Sequence, residues 1–530
     1  MDSETNETPN ARPRLASFLV HALQVQSERN PTSRWQKLAA FAISFVILSI
    51  VSFALLWLGD RINAPGMAVT RILARLQAPA VAMFYPGEAQ NQIALVLYDQ
   101  EFLESQGLAW PIRYADHGDW FLRLVDSETK PKAIFVDIPF SQNRDDRSLE
   151  SLIAAICSIT HDHGVPVFMA ALPSTRSKGL TLRSGLNPDS GDPRGPCFTM
   201  VGIGYEPDPV DRILWHYPLT THLGPEGWKA GPSESETVPK YRSAALALAE
   251  DVAKLDLGKE TDQLALVWGY DTPDQSGMSP MNAYCQPGKA SWLSFIPGFL
   301  RTPFESAPQR PVCPYHAAFS MAQIGEFSEE DMKKHLDGRF LIVGAFVPGY
   351  NDLIDSPIHG LIPGPYLHAM ALDNLLTYQG QYKLSTDWNN PSGDLVLSGL
   401  AAIFAVFLVH IALARVRVSF ERARCFPAFL KQDSLPGKQR PMLRAIAGLV
   451  AWVAKLMLVT IGAVLIIALL QKCFRIGMLP VVELATMTIA AEALDHLEKI
   501  KAFIIKNATL IDQNMRRICQ DIREWFRPRP

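Results

Sequence analysis

Residues Leu38–Leu58, LAAFAISFVILSIVSFALLWL, carry no charged side chain and are long enough to cross a bilayer. About 20 residues at 1.5 Å rise match a hydrocarbon core of about 30 Å. Inside that core a single segment satisfies its own backbone hydrogen bonds only as a helix. Arg34 and Lys37 stand immediately before the run, and Arg12, Arg14 and Arg29 lie further upstream. The positive-inside bias then keeps residues 1–37 cytoplasmic and exports the chain beyond residue 58. The run begins too deep in the chain and is too long for a signal-peptide core, and no clear A-x-A exit site follows it. It therefore reads as an uncleaved anchor.

Three more apolar segments follow a long globular stretch. The span predicted at 394–414 is followed by a loop, 415–444, with eight basic residues against two acidic ones, the signature of a cytoplasmic connection. The next span, 445–470, is interrupted by Lys455. A central lysine costs about 2.5–3.5 kcal/mol on an insertion scale, and the surrounding Leu, Ile and Val each return about 0.3–0.6, so the segment still inserts. Residues 477–494 are weaker because of Pro480, Glu483 and Glu492. Four crossings return the basic tail, 495–530, to the cytoplasm. Ionisable groups in spans usually pair, and Lys455 and Glu483 lie at comparable depth. In the tail, Leu497, Ile500, Ile504, Ile511, Met515, Ile518, Ile522 and Trp525 form an apolar stripe. It reads either as a homodimeric coiled coil or as an amphipathic helix on the inner leaflet.

The exported stretch, 59–393, has ordinary globular composition. With a formal net charge of −3 over 530 residues and no basic face, nothing points to nucleic acid. Short apolar runs at Ile93–Tyr98, Ala133–Val136, Val165–Ala170, Phe198–Ile203, Leu264–Trp268 and Phe340–Val343 alternate with helix-period stretches at Asp116–Val125, Leu149–His161 and Tyr241–Lys254. Continuous apolar strands joined by crossover helices predict an α/β domain with a mainly parallel sheet covered on both faces.

In such a sheet ligands bind outside the carboxyl ends of the strands. Asp99 follows IALVLY, Asp137 follows AIFV, and Asp352 and Asp355 lie in the loop after FLIVG. These aspartates either line one crevice or cap the next helix and turn. There is no H-E-x-x-H, no paired C-x-x-C, no Walker A loop and no G-x-S-x-G, and Gly202-Ile203-Gly204 lacks the third glycine of a dinucleotide fingerprint. Neither a metal, nor a cofactor, nor an enzymatic activity is expected. His216, His222, His316, His359 and His368 are dispersed and read as structural. Four cysteines, Cys157, Cys197, Cys285 and Cys313, fall on the exported side, where disulfides form. They allow three pairings or four reduced thiols. Cys285 with Cys313, both in Pro-rich loop sequence, is the pair singled out.

The exported segment resembles the CHASE sensor domain of the second type. The resemblance begins at Ile93–Arg113, where a strand, Asp99, Phe102-Leu103 and Gly107 precede a W-P-x-R element ending in Arg113. It continues through KAIFVDIPF (132–140) and VGIGYEPDPVDR (201–212). It is most specific at 337–376, DGRFLIVGAFVPGYNDLIDSPIHGLIPGPYLHAMALDNLL. The resemblance implies an extracytoplasmic sensory domain of the kind attached to cyclases and histidine kinases, on a bacterial inner membrane. It adds Arg113 to Asp99, Asp137, Asp352 and Asp355 as candidate ligand-binding residues. Such receptors usually continue into an output domain, and residues 495–530 leave no room for one. The expected protein is therefore a multi-pass sensor that binds an extracytoplasmic ligand or protein and signals to a separate cytoplasmic effector. The competing readings are a membrane scaffold that only holds partner proteins, and an exported hydrolase using Asp99, Asp137 and Asp355 around a metal.

Overall fold

The computed structural model describes residues 78–384, apart from short internal stretches and the longer ones 231–239, 274–284 and 290–311, together with Arg475. All described residues belong to one compact unit. The predicted spans 38–58, 394–414, 445–470 and 477–494, their flanking segments and the Lys455–Glu483 pair lie outside the described residues. Among the described residues no helix is long and apolar enough to cross a membrane.

The first half of the domain runs β1 (Ile93–Asp99), α1 (Gln100–Gln106), α2 (Tyr114–Arg123), β2 (Ala133–Val136), α3 (Leu149–His161), β3 (Val167–Ser174), β4 (Gly179–Thr181) and β5 (Thr199–Gly202). Short strands β6 (His216–Pro218), β7 (Thr220–Gly224), β8 (Gly227–Ala230) and β9 (Lys240–Arg242) lead to α4 (Ala244–Ala247) and β10 (Gln263–Ala265). The last part is β11 (Ala317–Ser320), α5 (Met321–Glu326), α6 (Glu329–Leu336), β12 (Phe340–Phe346), β13 (Leu353–Ser356), β14 (Gly360–Pro363) and α7 (Pro365–Tyr378).

Seven strands form the main sheet in the order β11-β1-β12-β2-β3-β4, with β5 also paired to β3. Its pairings are parallel except β3 with β4. Successive side chains of a strand point to opposite faces, and here both faces are covered. Leu95, Leu97, Phe135 and Ile342 pack with Leu367, Met370 and Ala371 of α7. Val96, Tyr98, Val136 and Val343 pack with Phe121 of α2, Ile156 of α3 and Ile324 of α5. The continuous apolar runs of β1, β2 and β12 follow from this double burial. Gly344 lets α7 come close to β12, because a Cβ there would stand 2.2 Å from Pro365 Cγ.

Two expectations are corrected, and one strand is added. The run Leu264–Trp268 does not join the parallel sheet; β10 pairs antiparallel with β6. The helix expected over Tyr241–Lys254 starts only at Ala244, where the Ser243 side chain accepts the Leu246 N–H. Before it, β9 is extended and paired with β7, and after it Leu248–Val252 winds as a π turn. An edge strand of the sheet, β11, lies in the four-residue run AAFS, too short for its periodicity to be read. The structure pairs Cys285 with Cys313 and also Cys157 of α3 with Cys197 before β5.

Candidate functional site

Asp137 follows the last residue of β2, and its N–H continues the ladder to the Val343 carbonyl at 2.7 Å. The alternation that turns Phe135 toward α7 turns Asp137 the same way, and the side chain ends up 3% exposed. His368, in the first turn of α7, meets it: Nε2 lies 3.6 Å from Asp137 Oδ2. The imidazole stands edge-on to Phe135, with centroids 5.2 Å apart, and its Nδ1 is 2.8 Å from the Tyr217 hydroxyl. That hydroxyl already accepts the Ala245 N–H at 3.4 Å. The hydroxyl also has the Ser243 side chain beside it, so its bond to His368 Nδ1 is compatible with either ring tautomer.

Asp352 brings a second carboxylate from the loop between β12 and β13. Its backbone carbonyl accepts the Gly364 N–H at 2.9 Å. Its carboxylate lies so close to Gly364 that a Cβ there would be 2.4 Å from both oxygens. Glycine at 364 is thus a requirement of this approach at the start of α7. Burial pushes the Asp137 carboxyl well above its ordinary range, and the Asp352 charge pushes it further. Burial raises Asp352 to about 6. Among the described residues no donor or cation pulls either carboxyl back down. Burial depresses His368 to about 3, so its ring is neutral at physiological pH. Half-buried Tyr205 is raised to about 12, by burial first and then by the charges of Asp352 and Asp137. The site, which we call the cleft, thus brings a deep carboxyl, a shallower one, a neutral imidazole and aromatic rings to the carboxyl ends of central strands.

The other sequence candidates go elsewhere. Asp99 caps α1, accepting the Phe102 N–H at 2.9 Å and the Ser320 hydroxyl at 2.8 Å; it serves as a structural cap. Arg113 is exposed and ion-paired with Asp116 at 2.8 Å. Asp355 sits on the β13–β14 hairpin, where its carbonyl accepts the Leu214 N–H. Of the five, the structure brings together Asp137 and Asp352. Among the described residues, Cys157, Asp192 and Cys197 have metal-ligand spacing, but the two sulfurs are bonded to each other. Beside these two carboxyls stand His368, which the sequence reads as structural, and Tyr217 and Tyr205, which the sequence does not single out. The available signal was a lone histidine near the start of the otherwise apolar helix PYLHAMAL.

A second buried polar cluster lies at the other end of α7, beside the amino end of β11. Asp373 bonds His316 Nε2 at 3.0 Å and accepts the Tyr85 and Thr377 hydroxyls. Asn374 donates to Tyr85 Oη at 3.2 Å and to the Val267 carbonyl at 3.0 Å. Burial, and then the Asp373 charge, push the Tyr85 hydroxyl well above its ordinary value. Beyond α7, the Leu384 N–H donates to the Arg475 carbonyl at 2.9 Å, and the Arg475 guanidinium lies over the Tyr382 ring at 5.2 Å.

A family model described as the CHASE2 domain matches residues 46–411. No curated protein and no solved structure matches the chain.

Proposed function

The chain belongs to the CHASE2 domain family, extracytoplasmic sensory domains of signalling proteins, and from that premise we propose that it is a multi-pass membrane receptor. Its α/β domain binds a ligand in the Asp137–Asp352 cleft outside the cell's inner membrane. The signal then passes through the flanking spans to a separate cytoplasmic effector. The protein itself performs no catalysis in this scheme.

The observation that carries the proposal is the course of α7. Its first turn holds His368 of the cleft, and its last turns hold Asp373 and Asn374, which grip Tyr85. Tyr85 lies on the chain coming from the first predicted span, and Tyr382 and Leu384 lie on the chain going to the second. A 14-residue helix is about 21 Å long. One rigid element therefore links the cleft to the segments that lead to both membrane anchors. Arg475 adds support for the sidedness. It lies between the predicted spans 445–470 and 477–494, a connection that four crossings put on the same side as the domain, and it docks on Leu384.

A ligand that binds two arrangements of α7 with different affinity shifts their populations. The test joins the cytoplasmic tail to a reporter kinase or cyclase in intact cells. Asp137→Asn and Asp352→Asn are expected to change reporter output, and Tyr85→Phe and Arg475→Ala to flatten its response. Unchanged output from all four overturns the reading. So does a cysteine-accessibility map that puts residues 78–384 on the cytosolic side.

A further inference from the structure

The cleft is chemically incomplete. Elsewhere acids of the domain have partners: Arg113 bridges Asp116, Arg194 bridges Asp192 and Arg242 bridges Asp251, the buried Asp373 is hydrogen-bonded to His316, and Asp99 accepts the Phe102 N–H and the Ser320 hydroxyl. Asp137 and Asp352 lie within each other's field, and among the described residues no lysine or arginine acts on either. Asp137 Oδ2 is fully buried and has no hydrogen-bond partner. His368 Nε2 stands 3.6 Å from it, beyond hydrogen-bond length. Burying a carboxylate without a partner is costly, so such a group stays protonated or takes up a positive charge.

The surroundings narrow the choice of cation. Among the described residues, the two carboxylates and His368 do not close to metal-ligand spacing, so an ion with short bonds to all three does not fit. The neighbouring side chains are aromatic instead. Phe135 and Tyr217 flank His368 at centroid distances of 5.2 and 5.6 Å, and Tyr205 stands half-buried within the field of both acids. Asp352 and Tyr205 reach the surface while Asp137 lies at the bottom, so a ligand enters past the shallower acid toward the deeper one. Carboxylates that accept N–H bonds, next to π faces that attract a cation and its carbon skeleton, form the recognition pattern of an organic ammonium group.

We propose that the cleft between Asp137 and Asp352 binds a small organic ammonium ion. Its N–H groups reach Asp137 Oδ2 and the Asp352 carboxylate, and its carbon body lies against Tyr205. This names the ligand class for the receptor proposed above and rests on that reading for its place outside the membrane.

The test uses the full-length chain in lipid nanodiscs at neutral pH, with n-butylammonium chloride as probe and thermal unfolding as readout. The expected result is a saturable rise in Tm that butanol and potassium chloride do not reproduce. Asp137→Asn and Asp352→Asn should each weaken the apparent Kd by about tenfold or more, the loss of one charge-assisted hydrogen bond. Arg113→Ala, outside the cleft, should leave it unchanged. Three results overturn the proposal: no shift with butylammonium, a shift that survives both substitutions, or stabilisation by calcium chloride in place of the amine. Reporter output separates this from the receptor reading. Butylammonium binding that depends on Asp137, with a silent reporter, keeps the ammonium site and rejects the receptor. A reporter that responds to Asp137→Asn, without butylammonium binding, does the reverse.

Discussion

Replacing Asp352 by asparagine tests the electrostatics of the cleft without reference to any ligand. Burial raises this carboxyl from 3.8 to about 6, so between those values the folded state binds more protons than the unfolded chain. Stability from this group is therefore full below the unfolded pKa and is lost as pH rises through the folded one. The whole loss is about 3 kcal/mol, at 1.36 kcal/mol per pKa unit. Of this, about 1.4 kcal/mol falls between about pH 5 and about pH 7.5. Three buried histidines act in the opposite direction. His117 and His368 are depressed to about 3 and His359 to about 4, all by burial first, so the stability they contribute is lost as pH falls below their unfolded value. Asp137, raised by burial and further by the Asp352 charge, acts in the same direction as Asp352, so the raw pH slope mixes these trends and the informative quantity is the difference between variant and wild type. Asp352→Asn should gain about 1.4 kcal/mol relative to wild type on going from about pH 5 to about pH 7.5. Amide hydrogen exchange of β1 in the full-length protein, corrected for the intrinsic pH dependence of exchange, measures this difference. A difference that stays constant with pH, or that changes in the other direction, would refute the account of Asp352.

Two further outcomes concern what holds the cleft in place. Replacing Cys285 and Cys313 by serine opens a link spanning 28 residues; the chain-entropy account gives a loss of about 3.5 kcal/mol, seen as a lower Tm that reductant does not lower further through this pair. Ser320→Ala removes the hydroxyl that clamps Asp99 and caps α5. It should cost about 1–3 kcal/mol while leaving the butylammonium Kd unchanged, and a weakened Kd would return Asp99 to the binding site.

The features legible in the sequence were those that local chemistry dictates. The apolar runs of β1, β2 and β12 can be placed because a strand buried on both faces has to be apolar throughout. Helix α3 occupies Leu149–His161, the range its periodicity gives. Asp137 was legible as a polar residue ending such a run, and by the same rule so was Asp99, although one lies in the cleft and the other caps a helix. The difference lies in Ser320, some 220 residues away, whose hydroxyl satisfies Asp99 and leaves Asp137 without a counterpart. No local pattern carries that information. His368 failed for a related reason. It looks like a solitary histidine until α7 is laid across the sheet, and that placement depends on Gly344 and Gly364 leaving room for Pro365 and the Asp352 carboxylate. Strand β10 was misplaced because an apolar run of three to five residues fits a sheet interior and a two-stranded ribbon equally well.

The position of β12 gives the cleft its mechanical meaning. Residues 340–346 insert between β1 and β2, pairing Ile93 with Phe340 and Ala133 with Phe340. Asp137 therefore comes from the early part of the domain, and Asp352 and His368 from the late part. The early part is the one that Tyr85 joins to the first predicted span, and the late part is the one that Tyr382 joins to the second. A charge placed between Asp137 and Asp352 acts across the seam between those parts. It draws α7 and the early strands together or, when absent, leaves Asp137 protonated beside Asp352 with no attraction across the seam. Closely packed interiors move between discrete arrangements more readily than they deform continuously. A change of one charge in the cleft is therefore expected to appear at the far end of α7 as a shift of the Asp373–Tyr85 grip. That is the place where a signal has to appear if the two anchors are to move relative to each other.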